Sequence, residues 1–195
     1  MQLPVRKLFQ VMIGTTLLGG GISLNFLGNL GLGPWGAFHD GLSKITGISY
    51  GTAIILTGVF VTFLWIPLKQ KPGIGTILNA IIISIMIDVC IKFVPTPENY
   101  LYQIILAVLA VLTVGIGGGI YLVANLGPGP RDGLMVGLQK KTNLPIAVVR
   151  ALLEISAVSI GWFLGGTVGI GTLLFAFGIG PAVALGLFLT GKIFK

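Results

Sequence analysis

Two ionisable neighbours, Arg131 and Asp132, directly follow a Gly129-Pro130 step. Proline is tolerated in the first turn of a helix, where its missing N–H is no loss, so Pro130 marks a helix start. Such an end presents unpaired backbone donors and a partial positive charge, to which Arg131 adds a full one. The ligand this would hold is an anion or a carboxylate-bearing solute. In the alternative, Asp132 caps its own helix and pairs with Arg131. A second couple, Arg150 and Glu154, stands at four-residue spacing and so shares a helix face. It reads as a structural ion pair or as the charged part of a coupling site. No nucleophile stands near a base, so no enzyme activity is expected.

The same break occurs earlier. Asn29-Leu30-Gly31-Leu32-Gly33-Pro34 corresponds to Asn125-Leu126-Gly127-Pro128-Gly129-Pro130, 96 residues later. Nine of the 18 positions from 29 to 46 match at that offset, and Gly73-Ile74-Gly75-Thr76 lands on Gly169-Ile170-Gly171-Thr172 without a gap. Fixed-period self-similarity indicates duplication. The expected domains are therefore repeat one, 1–97, and repeat two, 98–195, within a single membrane domain. Asn29, Gly33, Pro34, Asn125, Gly129 and Pro130 join Arg131, Asp132, Arg150 and Glu154 as the expected solute-binding set. The asparagines would cap exposed backbone or touch the solute.

Composition decides where these elements sit. The chain is 54% hydrophobic and 9% charged, with mean hydropathy +1.02. Soluble domains carry about 25% charged residues, so the bilayer is the expected solvent. The charge of +7 then orients loops and does not imply nucleic acid. A spanning helix needs about 20 mostly apolar residues; 8–27, 50–68, 73–94, 101–124, 145–164 and 168–190 qualify, an all-α fold of six transmembrane helices. The first reads as a retained span. The stretches 35–45 and 131–141 are too short and polar to span and read as half-helices, re-entrant or interfacial. Gly14, Gly19-Gly20-Gly21, Gly115 and Gly117-Gly118-Gly119 allow close helix approach.

With both termini cytoplasmic, Arg6, Lys7, Lys69, Lys71, Arg131, Lys140, Lys141, Arg150, Lys192 and Lys195 fall inside, and only Lys44 and Lys92 of the 12 basic residues fall outside. This satisfies the positive-inside rule. Three crossings per repeat put the second copy in the opposite sense, an inverted-topology plan frequent among transporters. The broken segments at corresponding places would then mark the binding region.

The remaining polar residues read more plainly. Asp88 and Lys92 look like a structural pair. His39 and Asp40 are adjacent, so they point about 100° apart and imply no joint site; His39 reads as a local hydrogen-bonding residue. Trp35, Trp65 and Trp162 lie near span ends, where interfacial anchoring is usual. Cys90, the one cysteine, excludes an internal disulfide. The Gly-x-Gly fragments lack the Lys-Ser/Thr of a phosphate loop, and no metal site or cofactor is expected.

Leu32-Gly33-Pro34-Trp35, the run Gly127 to Met135, Lys71-Pro72-Gly73-Ile74-Gly75-Thr76 and Val168 to Leu174 resemble the YczE/YyaS/YitT group of bacterial membrane proteins, closest to the YczE branch. The resemblance covers nearly the whole chain and implies a multi-pass inner-membrane protein, without a substrate to carry over. Such proteins commonly have Asp after the first Gly-Pro-Trp, where this chain has Gly36, so a symmetric carboxylate pair is not available. The expected function is a transporter or exporter of a small, anionic or carboxylate-bearing solute. A passive channel, a scaffold or regulator, and a substrate-binding subunit of a larger transporter remain open, as do homo-oligomers or partner subunits.

Overall fold

The structure, a computed structural model, describes residues 5–193; Lys195, counted above on the cytoplasmic side, lies outside them. Eight helices follow one another: α1 Val5–Gly28, α2 Pro34–Thr46, α3 Tyr50–Phe63, α4 Ile74–Phe93, α5 Tyr100–Ala124, α6 Pro130–Thr142, α7 Ile146–Phe163 and α8 Ile170–Ile193. There is no strand among the described residues. α1, α4, α5, α7 and α8 are long and apolar enough to cross a bilayer. α2 and α3 reach that standard only together, across a bend of 112°. Five spans are thus evident, or six if the bent pair counts as one.

The expected span 50–68 differs in kind from the others. Its α-helix ends at Phe63, and a run of tighter turns follows: Trp65 N–H to Thr62 O at 3.1 Å, Ile66 to Phe63 at 3.1 Å, Leu68 to Trp65 at 3.0 Å and Lys69 to Ile66 at 3.1 Å. Fourteen residues rise about 21 Å, short of the hydrocarbon thickness. The tightening draws Trp65 inward, where it is 1% exposed.

The two halves repeat each other in backbone detail. α6, α7 and α8 each begin 96 residues after α2, α3 and α4. The positive-φ residues pair at the same interval: Asn29 with Asn125, Gly31 with Gly127, Gly47 with Asn143 and Lys69 with Gly165. Left-handed backbone suits glycine and, among other residues, asparagine best. The Asn-Leu-Gly motif is therefore a chain reversal written twice.

Packing interlocks the halves. α1 and α5 run against each other at the centre, with α4 on α1 and α8 on α5, while α2 leans on α7 and α6 on α3. Gly14 meets the Gly117 carbonyl, and Gly119 meets Gly186, the close approach those glycines predict; Gly20 meets nothing. The linkers exchange bonds in the same crossed sense. Gly75 N–H donates to Leu126 O at 2.9 Å, and Gly171 N–H donates to Leu30 O at 2.7 Å. Thr76 Oγ1 adds a bond to Pro128 O at 2.7 Å. Each Gly-Pro break is therefore held by the helix start of the other half.

Candidate functional site

The two breaks converge. Pro34 and Pro130 occupy the first turn of α2 and α6, as the Gly-Pro steps predict, so the half-helices run 34–46 and 130–142, a residue wider at each end than expected. The residue after each proline meets its counterpart: the Arg131 guanidinium lies over the Trp35 ring, 5.6 Å from its centroid.

The helix ends themselves are not vacant. Gly33 N–H donates to Asn25 Oδ1 at 3.0 Å, and the Phe175 ring packs against Gly33. At the second break the Asp132 carboxylate turns back towards Gly129, its Oδ2 lying beside the glycine, the placement of an acid in the first helical turn that caps its own helix. Of these four residues of the expected solute-binding set, Gly33 already spends its amide on Asn25, Gly129 has the Asp132 carboxylate beside it, and Pro34 and Pro130 carry no N–H to offer. The physical reason is that buried N–H groups are rarely left unbonded.

The neighbours of the two ends differ. Phe175 covers the α2 end, whereas Asn79, 96 residues before it, lies beside Gly129 at the α6 end. One end is sealed by a ring; the other is polar.

Arg131 and Asp132 do not pair. The ion pairs between described residues are Lys44 with Asp40 at 2.7 Å and Arg150 with Glu154 at 2.9 Å. The half-buried Arg131 makes no hydrogen bond or ion pair with a described residue. Around it, within electrostatic reach, stand Asp132, Tyr50, Glu154, Arg150 and His39. Arg150 and Glu154 thus form the expected pair on α7, and that pair borders Arg131.

Asn29 and Asn125 do not join this group. Each takes the left-handed turn after its helix, Asn29 N–H bonding Phe26 O at 3.1 Å and Asn125 N–H bonding Leu122 O at 3.2 Å. Their exposed side chains hydrogen-bond neither α2 nor α6. Of the two roles expected of them, the structure gives both asparagines the backbone one. Asn29 also edges a cavity of about 280 Å³ with Leu32, Thr96 and Thr167, away from Arg131.

Other residues hold the site in place, Tyr121 and Asn25 among them without any sequence signal and the rest in roles unlike those their sequence suggests. Tyr121 donates to Gly127 O at 2.7 Å, doing for the second break what Asn25, its counterpart at the 96-residue interval, does for the first. Asp40 Oδ2 accepts from Lys44 at 2.7 Å, from Thr167 N–H at 2.8 Å and from Thr167 Oγ1 at 2.7 Å. That buried carboxylate ties α2 to the turn between α7 and α8. Trp65 is not an interfacial anchor: its ring lies on Gly133, and its Nε1–H donates to Pro130 O at 3.0 Å. A side chain at position 133 would occupy the ring's space. Asp88 does not pair with Lys92 either. It accepts from Ser49 Oγ at 2.6 Å and Gly51 N–H at 2.8 Å, binding α4 to the start of α3, while Lys92 sits over the Phe93 ring. Thr167 for Asp40, Pro130 and Gly133 for Trp65, and Ser49 and Gly51 for Asp88 are remote in sequence, and so no local pattern announces them.

α3 and α7 differ in consequence. α3 packs along α4, but α7 makes almost no contact with α8. The positions matching Ser49, Gly51, Ser84 and Asp88 are Pro145, Ala147, Gly180 and Ala184, which cannot rebuild the carboxylate link. Ser84 is buried, whereas Gly180 is exposed and has nothing within 4 Å of a Cβ built on it.

Comparison with known proteins agrees with this membrane architecture. An uncharacterized protein of Haemophilus influenzae is 37% identical over 183 residues, 94% of this chain and 84% of its own length. The uncharacterized membrane protein YczE of Bacillus subtilis is 36% identical, covering 84% of this chain and 77% of its own. The uncharacterized protein YyaS of the same organism is 29% identical over 83% of each chain. No solved structure matches significantly. The profile described as "Family of unknown function (DUF6198)" matches residues 5–187. With its apolar helices and these relatives, the chain is a multi-pass membrane protein of the YczE/YyaS type and belongs to the DUF6198 family.

Proposed function

We propose that the protein is a carrier for a small anionic or carboxylate-bearing solute, bound where α2 and α6 meet, in a bacterial inner membrane with both termini cytoplasmic. The observation that carries this reading is Arg131. It is a half-buried guanidinium at the meeting point of two half-helices, and no described residue supplies it a hydrogen-bonding partner. Ionisable groups at membrane depth are costly and ordinarily face a cavity or substrate path. A bound carboxylate would give Arg131 the two-pronged partner its geometry suits.

The duplicated backbone supports an inverted repeat, with the site on the pseudo-two-fold axis. Trp35 and Arg131 are equivalent residues in contact, and equivalent residues meet only near such an axis. The closed α3–α4 seam and the open α7–α8 seam suit one resting state of alternating access, in which one half is shut while its counterpart is parted. Arg150 and Glu154 then line the parted side.

The test is flux. Protein reconstituted in liposomes takes up a labelled carboxylate saturably under an imposed gradient, and R131Q abolishes uptake without changing the amount of folded protein. Flux that rises linearly without saturation turns the reading towards a channel. Absence of flux for every carboxylate, amino acid and vitamin tried removes it.

A further inference from the structure

We infer that His39 is the second donor of the anion site, so that repeat one contributes an imidazole where repeat two contributes Arg131. This rests on the carrier reading above and names the group that completes its site.

His39 is 5% exposed, yet its imidazole makes no hydrogen bond to any described residue. Its ring nitrogens are not enclosed, since the one fully buried side-chain N/O atom without a partner among the described residues is Thr57 Oγ1; the unbonded imidazole is therefore open to a small ligand. Its surroundings are rings: Phe38 with centroids 6.0 Å apart and Tyr50 at 6.0 Å. The Tyr50 hydroxyl does not serve it, since that group donates to Gly36 O at 3.2 Å. Asp40, its neighbour on α2, is committed to Lys44 and Thr167.

Placement points the imidazole towards Arg131. Trp35 and His39 stand four residues apart on α2 and share a face, and Trp35 is the ring that Arg131 covers. His39 and Arg131 also lie within electrostatic reach of each other. The region therefore holds two nitrogen groups without partners, a guanidinium and an imidazole, walled by Trp35 and Tyr50. A neutral imidazole offers one N–H donor, and a guanidinium offers a fork of five. A single carboxylate, or another small oxyanion of that shape, satisfies both at once.

The chain has one histidine, so its imidazole signal is read without assignment ambiguity. Full-length protein carrying ¹⁵N-labelled histidine in lipid nanodiscs is titrated with sodium acetate, with sodium chloride of equal ionic strength as the control. The imidazole ¹⁵N resonances shift saturably with acetate and not with chloride, and R131Q weakens that response at least tenfold. H39L weakens acetate-dependent thermal stabilisation by a similar factor, while H39Q, which keeps a donor, retains more of it. If acetate stabilises wild type and not R131Q but leaves the imidazole signal unmoved, His39 is overturned and the Arg131 site stands. If acetate neither stabilises wild type nor moves the resonance, both fall.

Discussion

Arg131 and Trp35 hold the same position in the two halves, 96 residues apart, and they touch each other, the guanidinium 5.6 Å from the ring centroid. Equivalent positions in mutual contact place the first turns of α2 and α6 face to face. A cation over an indole is worth about 0.5–2 kcal/mol, depending on desolvation. Replacing Trp35 by Leu leaves Arg131 charged but unsupported. Uptake of a labelled carboxylate by W35L is expected to fall well below wild type, while the melting temperature in detergent changes little. Undiminished uptake would remove the ring from the site.

Trp65 is expected to be the residue on which the second half-helix most depends. Its ring fills the space over Gly133, and its N–H serves Pro130 O. Truncating a buried aromatic costs about 3–5 kcal/mol. W65A should unfold at markedly lower denaturant concentration than wild type, and G133V should do the same by collision. An equal stability of wild type and W65A would contradict the packing.

Asp40 accepts three hydrogen bonds from a nearly buried position. Hydrogen bonds to charged groups contribute about 1.5–3 kcal/mol net. D40N loses its ion pair with Lys44 and weakens its hold on Thr167, so a loss of that order is expected in equilibrium unfolding. Amide exchange should accelerate at residues 165–167 first. T167V should reproduce part of the effect, and D40N with T167V should cost less than the two separate losses together, since they share one contact.

The seam between α3 and α4 should loosen in D88N, because Ser49 and Gly51 both depend on that carboxylate. Faster exchange of the first-turn amides of α3 is the readout, with α7 unaffected.

If the halves exchange roles during transport, the open seam must close in the other state. Gly51 packs on the Ser84 carbonyl, and the matching positions are Ala147 and Gly180. Cysteines at those two sites, in a chain with Cys90 replaced by Ser, should cross-link during turnover and arrest uptake, with recovery on reduction. A pair that never cross-links while transport proceeds would exclude this exchange.

Much of the architecture is legible in the sequence alone. The Gly-Pro steps place the starts of α2 and α6 within a residue, because proline and glycine act locally. Asn29-Leu30-Gly31 and its copy declare two identical reversals for the same reason. The Arg150–Glu154 pair was equally readable, since four-residue spacing settles it within one helix. Tertiary structure alone decided the rest. Trp65 looked like an interfacial anchor and lies in the core, because its partner Gly133 belongs to the other half. Asp88 was assigned to Lys92 one turn away, yet it binds the start of a different helix. Arg131 was expected either at a free helix end or paired with Asp132; Asp132 folded back on Gly129 and left it alone beside Trp35 and near His39. Local steric and hydrogen-bonding rules act over a few residues and are written in order along the chain. Which carboxylate reaches which amide depends on helices brought together from opposite halves, and no short stretch of sequence holds that information.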